Sequence, residues 1–221
     1  MSTALRPTIT PMPPRIQMLD TFRGYPVPWF VEILPNGEPE FRAADGRKWR
    51  RAIRERLCWV CGQKLGANLV FVLGPMCGIT RATSEPPVHL DCAVWSARNC
   101  PFLTKPHMIR RMDNLPEEIE APPGEPIDRN PGVTLLWTTK SYSLFAVDDG
   151  RHLIRVGDPE AITCWAEGRT ATEKEILESI TGGFPRLMEA AEVQGPKAIE
   201  ALLDRKREFL VLLSEVGGYA E

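Results

Sequence analysis

The chain of 221 residues has no run of eighteen apolar side chains, so no segment of it reads as a membrane span and no membrane is expected as partner. Charge of one sign is missing too. With 27 basic and 29 acidic groups the formal net charge is −2, a total that by itself argues against a polyanionic partner. Histidine is scarce: only His89, His107 and His152 occur, which narrows the general-base chemistry open to the chain. Residues 1–15 are Pro-rich without an apolar stretch, so no secretory leader is expected and a cytoplasmic setting is. No P-loop, G-x-S-x-G or H-E-x-x-H occurs, and the H-x-E then P-C-x-x-C pattern of zinc deaminases is missing. What is present, 43% hydrophobic and 25% charged residues, suits a globular chain that buries a core, not a disordered one.

Proline divides the sequence. Fifteen of the 21 prolines fall in residues 1–39 and 101–131, and such density removes backbone donors and argues against regular structure. The expected organisation is a mobile tail over 1–22, a basic module over 23–111, an acidic Pro-rich linker over 112–131 and an α+β domain with a helical end over 132–221. Within the module, Asn36-Gly37 signals a hairpin between two short strands. Asp45 can cap a helix through RKWRRAIRERL, with Trp49, Ile53 and Leu57 on one face. A strand over 68–73, a turn at Gly74-Pro75 and a second strand over 79–83 read as another hairpin. A helix carrying His89 and Cys92 follows. After the linker, four strands are expected near 133–138, 142–147, 153–156 and 161–165. A capping box at Thr170/Glu173 or Thr172/Glu175 then starts a helix that stops at Gly182-Gly183, and a last helix covers 197–216.

Six cysteines in a chain expected to be cytosolic read better as metal ligands than as disulfides. Cys58-x2-Cys61-Gly62 followed by His89-x2-Cys92 has the spacing of a zinc site. A C-x2-C turn aims two thiolates at one ion, the glycine tolerates the backbone a knuckle needs, and residues three apart share a helical face. Buried free thiols are the alternative. Cys77, near the tip of the expected hairpin, and Cys100 are second-choice ligands, and Cys164 reads as packing. Knuckle, hairpin, then a helix bearing the second ligand pair resembles the treble-clef group of zinc domains over residues 57–99. What the site implies is one structural Zn²⁺ held by Cys58, Cys61, His89 and Cys92, since four protein donors close the tetrahedron.

Charge placement gives the second signal. Residues 42–111 hold thirteen Lys/Arg against four acids, a surplus of +9, while the other residues carry −11. A basic, metal-stapled module is the footprint of phosphate binding. The expected contacts are Arg47, Lys48, Arg50, Arg51 and Arg54, with Arg81, Arg110 and Arg111 further out. Trp49, Trp59 and Trp95 read as core more than as stacking surfaces. Arg-rich helix faces are often only solvated, and the acidic linker could cover this one, so a zinc-scaffolded protein-interaction adaptor is the alternative to nucleic-acid binding. An HNH-like nuclease is the third reading, with only His107 left as base.

The segments GPMCGITRATSEPPVHLDCAVWSARNCPFL (74–103), NPGVTLLWTTKSYSLF (130–145) and WAEGRTATEKEILESITGGFPRL (165–187) resemble a family of uncharacterised phage and bacterial proteins. The resemblance implies a mobile-element setting and no particular activity.

Overall fold

LVFVL and TLLWTT are the most continuous apolar strand runs in the chain, a pattern expected of strands covered on both faces. In the computed structural model, which describes residues 11–105, 130–147 and 150–218, they lie side by side at the heart of one sheet. The first half contains α1 (Pro14–Gln17), β1 (Thr21–Phe22), β2 (Tyr25–Pro26), β3 (Val31–Ile33), β4 (Pro39–Ala44) and α2 (Gly46–Glu55). It continues with β5 (Leu69–Leu73), α3 (Pro75–Thr80), β6 (Ala82–Thr83), α4 (Leu90–Asn99) and α5 (Pro101–Thr104). The second half contains β7 (Thr134–Thr139), β8 (Tyr142–Ala146), β9 (His152–Val156), β10 (Ala161–Ala166) and β11 (Arg169–Thr170). It ends with α6 (Glu173–Gln194), α7 (Pro196–Val216) and β12 (Gly217–Gly218). The class is α+β, as expected.

The main sheet runs β11-β10-β7-β5, with β12 parallel to β10. Phe71 pairs with Trp137, and Cys164 with Leu135. A second sheet runs β6-β9-β8. Both sheets join the 23–111 segment to the 132–221 segment, β5 to β7 and β6 to β9. One buried cluster extends from Ile16 to Leu213 through both. The expected division into a basic module and a separate α+β domain therefore cuts through a shared sheet. Antiparallel partners far apart in sequence leave no local mark, whereas a proline cluster does.

Local signals fared better. Gly37 turns the β3–β4 hairpin at φ +81°. Asp45 caps α2, accepting from the Arg47 and Lys48 amides. The capping box proves to be Thr172/Glu175.

Three expectations are corrected. Residues 11–22 are not a loose tail: α1 inserts Ile16 at 0% exposure. Gly74-Pro75 does not turn a hairpin; Pro75 opens α3 as its first residue, where its missing amide costs nothing. And α6 runs straight through Gly182-Gly183 and Pro185. A Cβ on Gly183 would stand 3.0 Å from Met76 Cγ on α3, so the glycine permits close helix contact there instead of ending the helix.

Glu175 is pulled down to about 2, mainly by hydrogen bonding from Arg169 and then by the Thr172 amide. Its folded pKa lies below the ordinary 4.5. The stability it adds is therefore complete above that value and lost as pH falls from 4.5 towards 2. Glu175→Gln is expected to cost about 1 kcal/mol at neutral pH, a few degrees in melting temperature. It should also flatten the acid side of a plot of melting temperature against pH.

Candidate metal centre

Arg56 ends α2 in a left-handed conformation, φ 53°, and turns the chain into Cys58. The knuckle closes on itself: the Cys58 amide donates to Gln63 O at 2.7 Å and the Gly62 amide to Cys58 O at 2.8 Å. Trp59 stacks on Phe30, with ring centroids 5.2 Å apart, and meets the edge of Trp29. The second ligand pair arrives by strand-like pairing. Val70 and Val88 exchange two backbone hydrogen bonds, of 3.1 and 2.8 Å, and the Trp59 amide donates to Pro87 O. This sets His89 as the N-cap of α4 and Cys92 in its first turn.

The ligand atoms of Cys58, Cys61, His89 and Cys92 all lie within 4.8 Å of one another. Zinc bonds of about 2.3 Å to sulfur and 2.0–2.1 Å to nitrogen make tetrahedral edges of about 3.8 Å (S···S) and 3.6 Å (S···N). Cys61 Sγ stands 3.4 Å from His89 Nδ1. On the far side of the ring, His89 Nε2 is 3.1 Å from the Lys64 carbonyl oxygen. An Nε2–H donated there leaves the Nδ1 lone pair for an ion, the usual outer support of a histidine ligand. The amides of Cys61 and His89 both donate to Cys58 Sγ at 3.5 Å. Cys58 and Cys92 are fully buried and Cys61 nearly so. The donor set and its spacing fit one metal ion of the zinc type.

The thiols share protons. Hydrogen bonds from Cys58 and then Cys92 pull the Cys61 thiol below its ordinary value. The bond with Cys61 is the main cause of the rise of Cys58, and Cys58 and Cys61 raise Cys92. One thiolate therefore forms readily and further negative charge in the same space is resisted, which a divalent cation relieves.

The other cysteines stand apart from this cluster. Cys77 lies on α3, half-buried, with burial pushing its thiol up to about 11. Burial likewise pushes Cys164, inside β10, up to about 12. Cys100 sits between α4 and α5. The treble-clef order survives only in part. Knuckle and helix-borne pair are present, but the segment between them is β5, α3 and β6, whose strands pair with β7 and β9 and not with each other.

Sequence reasoning missed Arg15. Its Nε donates to Asp91 Oδ2 at 2.9 Å; its Nη1 comes within 3.3 Å of His89 Nε2, but with that nitrogen donating to Lys64 O the bond that ties Arg15 to the site is the one to Asp91. Asp91, set between two ligands in His89-Leu-Asp-Cys92, hinted at a cationic partner, but nothing pointed to residue 15. Arg15→Ala and Asp91→Asn are each expected to speed amide exchange at Ile16 and Gln17. Zinc content should stay at one ion per chain, with affinity falling about tenfold in competition with a chromophoric chelator, at the low end for outer-shell partners.

Of the expected phosphate contacts, Arg47, Arg50, Arg51 and Arg54 are exposed on α2. Arg47 also reaches Asp45, and Lys48 Nζ is turned inward to the Val31 carbonyl at 2.7 Å. Arg81 is elsewhere, paired with Asp158 and lying over Trp137. Arg110, Arg111 and His107 fall outside the described residues, as does most of the 112–131 linker. Trp59 and Trp95 are buried, and Trp49 donates its indole N–H to Ser84 O. None of the three is a free stacking platform.

Comparison with family models, with curated proteins and with solved structures returns no match. The likeness to phage and bacterial proteins thus rests on residue pattern alone.

Proposed function

We propose that the chain is a zinc-stabilised, non-enzymatic nucleic-acid-binding accessory protein. Cys58, Cys61, His89 and Cys92 would hold one structural zinc. The outer face of α2 would contact phosphates without reading sequence. One observation carries this reading. Arg47, Arg50, Arg51 and Arg54 are exposed along a helix that runs directly into the first ligand, Cys58. A metal that fixes Cys58 fixes the helix, and a fixed row of guanidinium groups can match a phosphate backbone.

Their present partners are weak competitors. Glu55 accepts from Arg51 at 3.0 Å and Arg54 at 2.7 Å, but these are surface pairs that water and salt screen. Phosphates can displace them.

The test is binding of single- and double-stranded oligonucleotides titrated against salt. Four phosphate contacts predict a log–log slope of about −3 to −4, and removing two by Arg51→Ala with Arg54→Ala should flatten it by about two. Glu55→Gln should tighten binding at low salt. No binding at low salt overturns the reading.

The adaptor reading has its own support: Leu177, Val193 and Val211 are 47%, 90% and 52% exposed on the α6–α7 pair. For an HNH-like nuclease the one described histidine outside the metal cluster is His152, exposed on β9.

A further inference from the structure

A cleft of about 600 Å³ opens between the end of α3, the β8–β9 pair and α7. It shares no residue with the metal cluster or with α2. Three arginines from three different elements line it: Arg81 just after α3, Arg155 on β9 and Arg205 on α7.

Two of the three are held in place. Arg81 occupies the left-handed C-cap of α3 at φ 54°, a position where glycine costs least. Keeping an arginine there is explained by its side chain. The guanidinium is paired with Asp158 and lies 5.5 Å from the Trp137 ring centroid. Arg155 faces Ser143 across the β8–β9 register, and its guanidinium lies 4.9 Å from the Phe145 ring centroid. Fixed forks of this kind lose little freedom on binding an oxyanion.

The acids of the cleft do not cancel this charge. They are Asp158, which is already paired with Arg81, and Glu208, so Arg155 and Arg205 carry the surplus positive charge of the cleft. Beneath the charged rim the floor is apolar: Ile79, Val156 and Phe209 are almost completely buried. A volume of this size, with apolar residues beneath and three arginines in its wall, has the make-up of a small-ligand site.

We propose that this cleft binds the phosphate group of a phosphate ester, with Arg155 and Arg205 as its principal contacts and Arg81 as the fixed rear wall. The ester is either a free mononucleotide or part of a nucleic-acid strand.

The experiment titrates the full chain with adenosine monophosphate, inorganic pyrophosphate and a short single-stranded oligonucleotide, followed by calorimetry. The same titrations are run on Arg155→Ala, Arg205→Ala and Arg205→Lys. Both positions are exposed, so unchanged melting temperatures should confirm intact folding. Loss of one charged contact is expected to weaken binding about tenfold or more, with lysine at 205 restoring part of it. Saturable mononucleotide or pyrophosphate binding that drops in both alanine variants identifies a free phosphate ester. Oligonucleotide binding alone, dropping in the same variants, identifies a strand phosphate. No saturable binding of any probe, or binding indifferent to both variants, overturns the proposal. Oligonucleotide binding lost on changing Arg51 and Arg54 but kept in the 155 and 205 variants, with neither the mononucleotide nor pyrophosphate bound, also overturns it, and leaves the α2 reading standing.

Discussion

A Cys58→Ser chain is expected to lose its zinc and to melt far below the parent protein. Cys58 Sγ is the most connected atom of the cluster: fully buried, accepting two amides, and hydrogen-bonded within the thiol group. A serine hydroxyl is a poor ligand for an ion that prefers thiolate and imidazole, so three donors remain. The Cys61 and His89 amides then face a shorter, neutral serine oxygen in place of a sulfur that can carry charge, so both bonds weaken. Structural zinc contributes about 10–16 kcal/mol in small zinc-finger peptides. Against a total stability of about 5–15 kcal/mol, even a third of that decides whether the chain folds. The knuckle also anchors Trp59 and, through Val88, the edge of β5, so the loss spreads into the main sheet. Metal analysis should return one zinc per parent chain and little for the variant, and a chelator should lower the parent's melting temperature to near the variant's. Cys77→Ser and Cys100→Ser are the controls and should keep full zinc. A Cys58→Ser protein with parental zinc and parental melting temperature would remove Cys58 from the ligand set.

The clustering of Cys58, Cys61, His89 and Cys92 was legible because its logic is local. A C-x2-C pair beside a glycine and an H-x2-C pair opening a helix state their own geometry. The α2 face was legible for the same reason, since Asp45 and the spacing of Trp49 and Ile53 are helix-period signals. What failed to show was everything that depends on a distant partner. Phe71 beside Trp137 and Ala82 beside Arg155 are pairings across more than sixty residues, and no periodicity in either strand names the other. Gly183 shows the same limit in reverse. Read locally, a Gly-Gly-x-Pro segment ends a helix; in the fold it is where α6 meets Met76. Arg15 lies on a four-residue helix inside a stretch whose prolines suggested no structure at all.

Gly62→Ala is the second change expected to have a large effect, and its size can be divided into parts. Gly62 has φ +72°, so any side chain bears the left-handed cost, about 1–2 kcal/mol. Gly37, at φ +81° with nothing within 4 Å of a built Cβ, bears that cost alone. At Gly62 the new methyl would also stand 2.7 Å from the Trp29 ring. Trp29 cannot easily retreat: its amide donates to Val60 O at 2.7 Å and its ring meets Trp59 edge-on at 6.3 Å. Such overpacking adds about 1–3 kcal/mol. Gly62→Ala should therefore destabilise by about 2–5 kcal/mol and Gly37→Ala by about 1–2. The peptide that shifts is next to Cys61, so zinc affinity should fall in the first variant and hold in the second. A Trp29→Ala background removes the obstacle, and the effects of Trp29→Ala and Gly62→Ala should then sum to more than the double variant shows. If they add fully, the ring is not what confines Gly62, and the knuckle's need for glycine is a matter of backbone conformation alone.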